Sequence, residues 1–186
     1  MRRAEPLAAV LVEQLDPRTV SALAAGDLRR ANRFSEHHLP SSFITPESVR
    51  LWRLRDRQIS DDPASADWIT GAIVDGDLGL VVGRAGYHAP PNAAGTVEIG
   101  YAVDEEYRRR GYARGALEFL LDRAAREPSV RTVRATVAPD NTASSALIAQ
   151  YGFAQVGSQI DEDDGLELIY EIPSNRDRPA MRAGRR

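Results

Sequence analysis

Thr96-Val97-Glu98-Ile99-Gly100-Tyr101-Ala102-Val103, followed after three acidic residues by Tyr107-Arg108-Arg109-Arg110-Gly111-Tyr112-Ala113, is the stretch on which the fold turns. Its first part alternates apolar and polar residues and then becomes mostly apolar, which predicts a central strand with both faces largely covered. Its second part opens an amphipathic helix predicted over residues 111–127. Ala113, Leu117, Leu120, Leu121 and Ala124 fall on one stripe of that helix,. Arg114, Glu118, Asp122 and Arg126 share the opposite face, with Asp122 and Arg126 spaced as an i,i+4 pair of opposite sign,. Between strand and helix, backbone N–H groups at the helix start have no intrahelical partner and the positive end of the helix lies behind them. Gly111 lets the backbone approach a ligand without a side chain in the way, and Ala113 is small. Arg108, Arg109 and Arg110 favour phosphate further. The turn therefore reads as a site for a diphosphate or an equally anionic group. Neither GxxxxGK[ST] nor GxGxxG is present, so it is not a nucleoside-triphosphate loop or a dinucleotide fingerprint,.

Upstream, residues 68–74 and 78–85 read as two strands around the turn Asp75-Gly76-Asp77, a hairpin. Downstream, the pattern gives a strand over 130–138 and a short helix over 141–151 closed by Gly152. Closing strands over 153–159 and 166–172 flank the acidic turn Asp161-Glu162-Asp163-Asp164-Gly165. The order β-β-β-α-β-α-β-β implies an α/β (α+β) chain with a mixed sheet and helices packed on it. The first third reads as helical, with starts at Asp16-Pro17, Asp27 and Thr45-Pro46,. We expect a single domain over residues 1–172, made of a helical part (1–67) and a core (68–172). The basic tail, 173–186, carries Arg176, Arg178, Arg182, Arg185 and Arg186 with almost nothing apolar, which predicts a mobile end,.

The chain has 186 residues, enough for one domain with a sizeable core, and its 42% hydrophobic and 27% charged residues give the balance of a soluble globular protein,. A net charge of -3 offers no whole-protein attraction to nucleic acid, so no nucleic-acid partner is expected,. The absence of cysteine excludes disulfides, thiolate nucleophiles and Cys-based metal sites,. His37 and His38 are adjacent and His88 lies in a Pro/Gly-rich loop, where it reads as a surface histidine, so no metal site is expected. The N-terminal apolar patch is interrupted by Glu5, Pro6 and Glu13, too short for a signal sequence, and no 18-residue apolar run exists to span a membrane,. These features point to a cytoplasmic location.

The residues from Arg108 to Ala113 match the pyrophosphate signature of the GNAT acyltransferase superfamily: Arg or Gln, two residues, Gly, one residue, then Gly or Ala. Glu98-Ile99-Gly100-Tyr101 resembles that family's fourth strand. Pro139-Asp140-Asn141-Thr142-Ala143-Ser144 followed by Tyr151-Gly152-Phe153 is similar to the Asn-x-x-Ser…Gly-Phe pattern of the branch containing ribosomal-protein N-terminal (alanine/serine) acetyltransferases. The resemblance covers roughly residues 68–172. It implies the acyl-CoA N-acyltransferase fold, with a mixed, mostly antiparallel central sheet of about six to seven strands flanked by helices. It implies acetyl-CoA (coenzyme A) as cofactor, and transfer of its acetyl group by direct attack in a ternary complex. The acceptor it implies is a primary amine of a small molecule or of a protein N-terminus, and a monomer or a homodimer is expected.

Residue by residue, the resemblance implies that backbone amides of Arg109, Arg110, Gly111, Tyr112 and Ala113, in the turn opened by Arg108, hold the pyrophosphate. It implies that the pantetheine arm lies beside Tyr101, Ala102 and Val103, that Asn141 bonds the arm from the other side, and that Ser144 sits near the thioester sulfur. As an alternative role, Asp140-Asn141 is an ordinary helix cap and Ser144 a small packing residue. Glu98 is the candidate base, acting directly or through water, with strand alternation or an arginine pair as the competing account. Where many members carry an acid-like Tyr, this chain has Ile148. Tyr151, three residues on, reads as a packed aromatic, which leaves the general acid unassigned. Trp52 and Trp68 are candidates for the acceptor side or for the core. The alternative from another class is a non-catalytic acyl-CoA sensor or protein-interaction module on the same fold.

Overall fold

In the computed structural model, residues 9–161 and 165–174 are described. Most of the basic tail, the middle of the acidic turn and the first eight residues lie outside this range. The chain divides into two compact units, one formed by residues up to Pro90 with Ile99–Leu120, the other by Pro91–Glu98 with the chain from Leu121 onward.

The first unit begins with a strand that the sequence does not reveal, β1 (Val10–Glu13). Expected as part of a helical segment, it is only four residues long and embedded in an apolar stretch too short to display a period. Two helices follow. The first, α1 (Pro17–Ala24), is capped by the Asp16 side chain and has Pro in its first turn. The second, α2 (Leu28–Ala31), is capped by Asp27,. Helix α3 (Pro46–Asp61) starts at Thr45, whose hydroxyl accepts from the amide of Ser48. Then come β2 (Gly71–Asp75), β3 (Leu80–Tyr87), β4 (Thr96–Val103) and α4 (Tyr112–Arg126). Strand β2 lies antiparallel between β1 and β3, and β3 pairs antiparallel with β4, setting Gly83 opposite Val103 and Tyr87 opposite Ile99.

The core of this unit gathers Leu15, Val20, Leu23, Leu39, Phe43 and Trp52 with Val74 and Val81 of the hairpin. Trp52 is fully buried, stacks on Phe43 with ring centroids 5.5 Å apart and donates its indole N–H to the Phe43 carbonyl at 2.9 Å. It is a core residue. Each such buried side chain contributes about 1.5–3 kcal/mol of apolar transfer free energy.

The second unit contains the start of β4 and the end of α4, then β5 (Thr132–Val137), α5 (Thr142–Ala149), β6 (Ala154–Asp161) and β7 (Gly165–Pro173). Strand β7 is antiparallel to both β5 and β6. Arg134 and Glu171 face each other across the β5–β7 ladder and form an ion pair at 2.6 Å. Among the described residues the strand order is β1-β2-β3-β4-β5-β7-β6, seven strands flanked by helices, as the motif order implies. On α4 the expected stripe is largely inside: Leu117, Leu120 and Ala124 are buried and Ala113 and Leu121 half-buried, while Asp122 and Arg126 pair on the exposed face at 2.9 Å.

Candidate functional site

The turn between β4 and α4 is built by several changes of backbone conformation. After β4 ends at Val103, a single tight helical turn over Glu105–Tyr107 is closed by the Tyr107 amide on the Asp104 carbonyl at 2.9 Å. Arg108 is extended, with φ -62° and ψ 157°. Arg109 then takes a left-handed conformation, φ 63°, alone among the described non-glycine residues, and Gly111 follows at φ 91°. Helix α4 starts at Tyr112, and its first closing bond runs from the Gly115 amide to the Gly111 carbonyl at 3.0 Å.

Left-handed residues alternating with right-handed ones aim successive N–H groups into one concavity, which is how backbone nests bind anions, and Arg109 and Gly111 supply left-handed positions here. Among the described residues, the amides of Arg109, Arg110, Gly111, Tyr112 and Ala113 donate no backbone hydrogen bond. A left-handed arginine costs about 1–2 kcal/mol, so the surrounding structure imposes this shape against local preference.

The arginine side chains of the turn are exposed. Arg108 Nε donates to the Val103 carbonyl at 3.3 Å, and the Arg110 guanidinium lies 5.6 Å from the centroid of the Tyr107 ring. Both contacts hold the cationic groups close to the turn. Tyr112 points the other way, inward, and its hydroxyl donates to Asp75 Oδ2 at 2.6 Å. That hydrogen bond, together with burial, pushes the Tyr112 phenol up to about 12. The same bond is the main force holding the Asp75 carboxyl below its usual range, against the opposing effect of burial,.

Tyr101, Ala102 and Val103, half-buried at the end of β4, lie opposite Ala85, Arg84 and Gly83 of β3 and belong to the same unit as the turn. A cavity of about 450 Å³ in this unit is lined by Pro40, Ser41, Ser42, Asp104, Glu105 and Glu106, and Ser42 donates its hydroxyl proton to Asp104 at 2.7 Å. His88, expected as a surface histidine, is half-buried. Its carbonyl accepts from Arg55 Nη1 at 2.7 Å and Gln58 Nε2 at 2.8 Å. Its ring covers Gly100, where a Cβ would lie 2.9 Å from Nε2.

Glu98, Asn141 and Ser144 belong to the second unit. Glu98 is half-buried and its Oε1 accepts the Thr136 hydroxyl at 2.7 Å. Asn141 caps α5, with Oδ1 accepting the Ser144 amide at 3.1 Å. The cap uses the carbonyl oxygen and leaves the side-chain NH2 as a donor for a ligand carbonyl. Ser144 is half-buried. Ile148 and Tyr151 are both buried, consistent with packing roles. Two polar partners escape the sequence reading, Asp75 and Thr136. Each lies 37 or 38 residues from the group that it holds, with no local motif to mark it. Among the described residues no helix is long and apolar enough to cross a membrane.

Residues 11–154 match the family model described as an acetyltransferase (GNAT) domain. The chain is 32% identical over 115 residues to the L-2,4-diaminobutyric acid acetyltransferase of Streptomyces coelicolor, a match covering 56% of this chain and 68% of that protein. Among solved structures, the ribosomal-protein-S5-alanine acetyltransferase of Vibrio fischeri superposes with a TM-score of 0.63 at 18% identity, covering 96% of this chain and 100% of the other. RimJ of Mycobacterium smegmatis, solved in complex with a CoA disulfide, superposes with a TM-score of 0.61 at 21% identity, covering 90% and 83%. The strand order and the family match over most of the chain agree, and the chain belongs to the GNAT family of N-acetyltransferases, which transfer acetyl groups from acetyl-CoA to amines.

Proposed function

We propose that this protein transfers the acetyl group of acetyl-CoA to a primary amine of a small diamino acceptor. The observation that carries the cofactor half is the turn at Arg109 and Gly111, whose successive amides have no internal partner. The acceptor half is supported by the relative that acetylates a diamino acid. In this reading the amides of Arg109, Arg110, Gly111, Tyr112 and Ala113 receive the diphosphate, with the exposed guanidinium groups of Arg108, Arg109 and Arg110 adding charge. Main-chain groups of Tyr101, Ala102 and Val103 hold the pantetheine arm.

The reaction needs a neutral amine at the thioester carbon. The nitrogen attacks, the C–N bond forms, the C–S bond breaks, and a proton leaves the nitrogen while another reaches the sulfur. Glu98 takes the amine proton, directly or through water, with Thr136 fixing the carboxylate rotamer,. The Ser144 hydroxyl gives its proton to the departing sulfur and recovers one from water. Holding the thioester and amine together supplies much of the rate, so the base need not be strong.

A thiol-release assay with acetyl-CoA and a panel of diamino acids, polyamines, ordinary amino acids and N-terminal peptides tests this. Turnover concentrated on diamino compounds is expected. Turnover on peptides alone would move the acceptor to a protein N-terminus. CoA binding without turnover on any amine would favour a non-catalytic sensor.

A further inference from the structure

The first turn of α4 is tied to the β1–β2 ladder at two points on one rung. Val10 of β1 and Asp75 of β2 are register partners. Tyr112 donates to Asp75 at 2.6 Å, and Gly115 lies so close to Val10 that a Cβ there would sit 2.5 Å from Val10 Cγ2. Apolar contact of the second kind fixes how near the helix lies but leaves it free to slide and rotate. The hydrogen bond removes that freedom, because it specifies one direction and one distance. Asp75 is suited to the task. It is 3% exposed, its Oδ1 is occupied by the amides of Asp77 and Leu78 at 3.0 Å each, and Oδ2 is turned to Tyr112. A carboxylate locked by its own hairpin turn offers a fixed acceptor.

We propose that Asp75 and Tyr112 are a positioning pair for the coenzyme. By anchoring the first residue of α4, they fix the adjoining amides of the Arg108–Gly111 turn in the geometry that a diphosphate requires. This rests on the coenzyme reading of that turn. Neither side chain touches the ligand. Both act through the backbone of Gly111 and Tyr112, which leads directly out of the anchored residue.

Two variants of the full chain test the pair, Tyr112→Phe and Asp75→Asn, each checked for folding by thermal melting. Dissociation constants are measured for CoA by calorimetry and for pantetheine, which lacks the diphosphate, by ligand-observed NMR. Tyr112→Phe removes one oxygen and is expected to weaken CoA about tenfold while leaving pantetheine within about twofold, a loss confined to the diphosphate end. In Asp75→Asn the amide oxygen keeps the turn bonds but a donor NH2 replaces Oδ2, the acceptor of the Tyr112 proton, so CoA is expected to weaken about threefold to tenfold with pantetheine again within about twofold,. Wild-type affinity for CoA in Tyr112→Phe would overturn the positioning role. Equal weakening of CoA and pantetheine would also overturn it, as a general structural defect. Wild-type protein that binds no CoA would instead overturn the coenzyme reading on which the pair depends.

Discussion

Replacing Gly111 by alanine places a Cβ on a backbone at φ 91°, a region that L-residues rarely occupy. Such a residue carries roughly 1–3 kcal/mol of strain. Alanine returns about 0.4–1 kcal/mol because its unfolded chain has less entropy to lose. With mid-range values of about 2 and about 0.7 kcal/mol the net penalty is roughly 1.3 kcal/mol, and it must surface in one of two places. If the free turn keeps its shape, the penalty lowers folding stability. If the turn relaxes, stability is spared and CoA binding has to restore the strained form, which weakens affinity about tenfold for each 1.4 kcal/mol. Urea denaturation and calorimetric titration with CoA on the same variant measure both, and the two losses should sum to about 1.3 kcal/mol. A variant in which both stability and affinity match wild type would refute the reasoning, because the strained glycine would then not be part of the binding geometry.

Three further outcomes are expected. The buried Tyr112–Asp75 bond gives the folded state a pH signature. Asp75 is depressed in the fold, so its contribution is present above its unfolded value near 3.9 and is lost as pH falls through the folded value,. Tyr112 is raised to about 12, so its contribution is complete below its ordinary value near 10 and is lost as pH rises through about 12,. The stability difference between wild type and Tyr112→Phe should thus be widest at intermediate pH and close at both extremes, and a gap independent of pH would contradict the assignment. Glu98→Gln should lower kcat by roughly 10²-fold or more while CoA affinity stays unchanged, measured by thiol release and calorimetry; a kcat within threefold of wild type would remove Glu98 from the chemistry. Trp52→Phe should cost about 1–3 kcal/mol in urea denaturation, because it strips the buried Phe43 carbonyl of its indole donor,.

What could be read from the sequence divides along the range of the interactions involved. Helix α4 was legible because its stripe repeats over four turns, and β4 because eight residues suffice to show a strand pattern. The caps at Asp16, Asp27, Thr45 and Asn141 were legible because each involves residues two or three apart,. Strand β1 was not, since four residues in an apolar run carry no usable period,. In the turn after β4, Gly111 signals a left-handed backbone, but nothing in Arg108-Arg109-Arg110 says that Arg109 also adopts one. In the proposed arrangement the turn is anchored through Tyr112 by Asp75, which is remote in sequence. Thr136 is similarly hidden. It reads as one more β-branched residue in a strand, and its use as a donor to Glu98 emerges once the fold brings the start of β4 and β5 together in one unit. The consequence is general: backbone-built binding features leave local traces, whereas the side chains that hold them in place do not.

The central claim is that the turn after β4 binds coenzyme A through its backbone. Calorimetric titration of the purified protein with acetyl-CoA, beside a Gly111→Trp variant shown to be folded, tests it most directly. The account predicts micromolar binding by wild type and its loss in the variant, where the indole fills the space that the diphosphate needs. A folded wild-type protein that binds no acetyl-CoA, or a variant that binds it equally well, would contradict it.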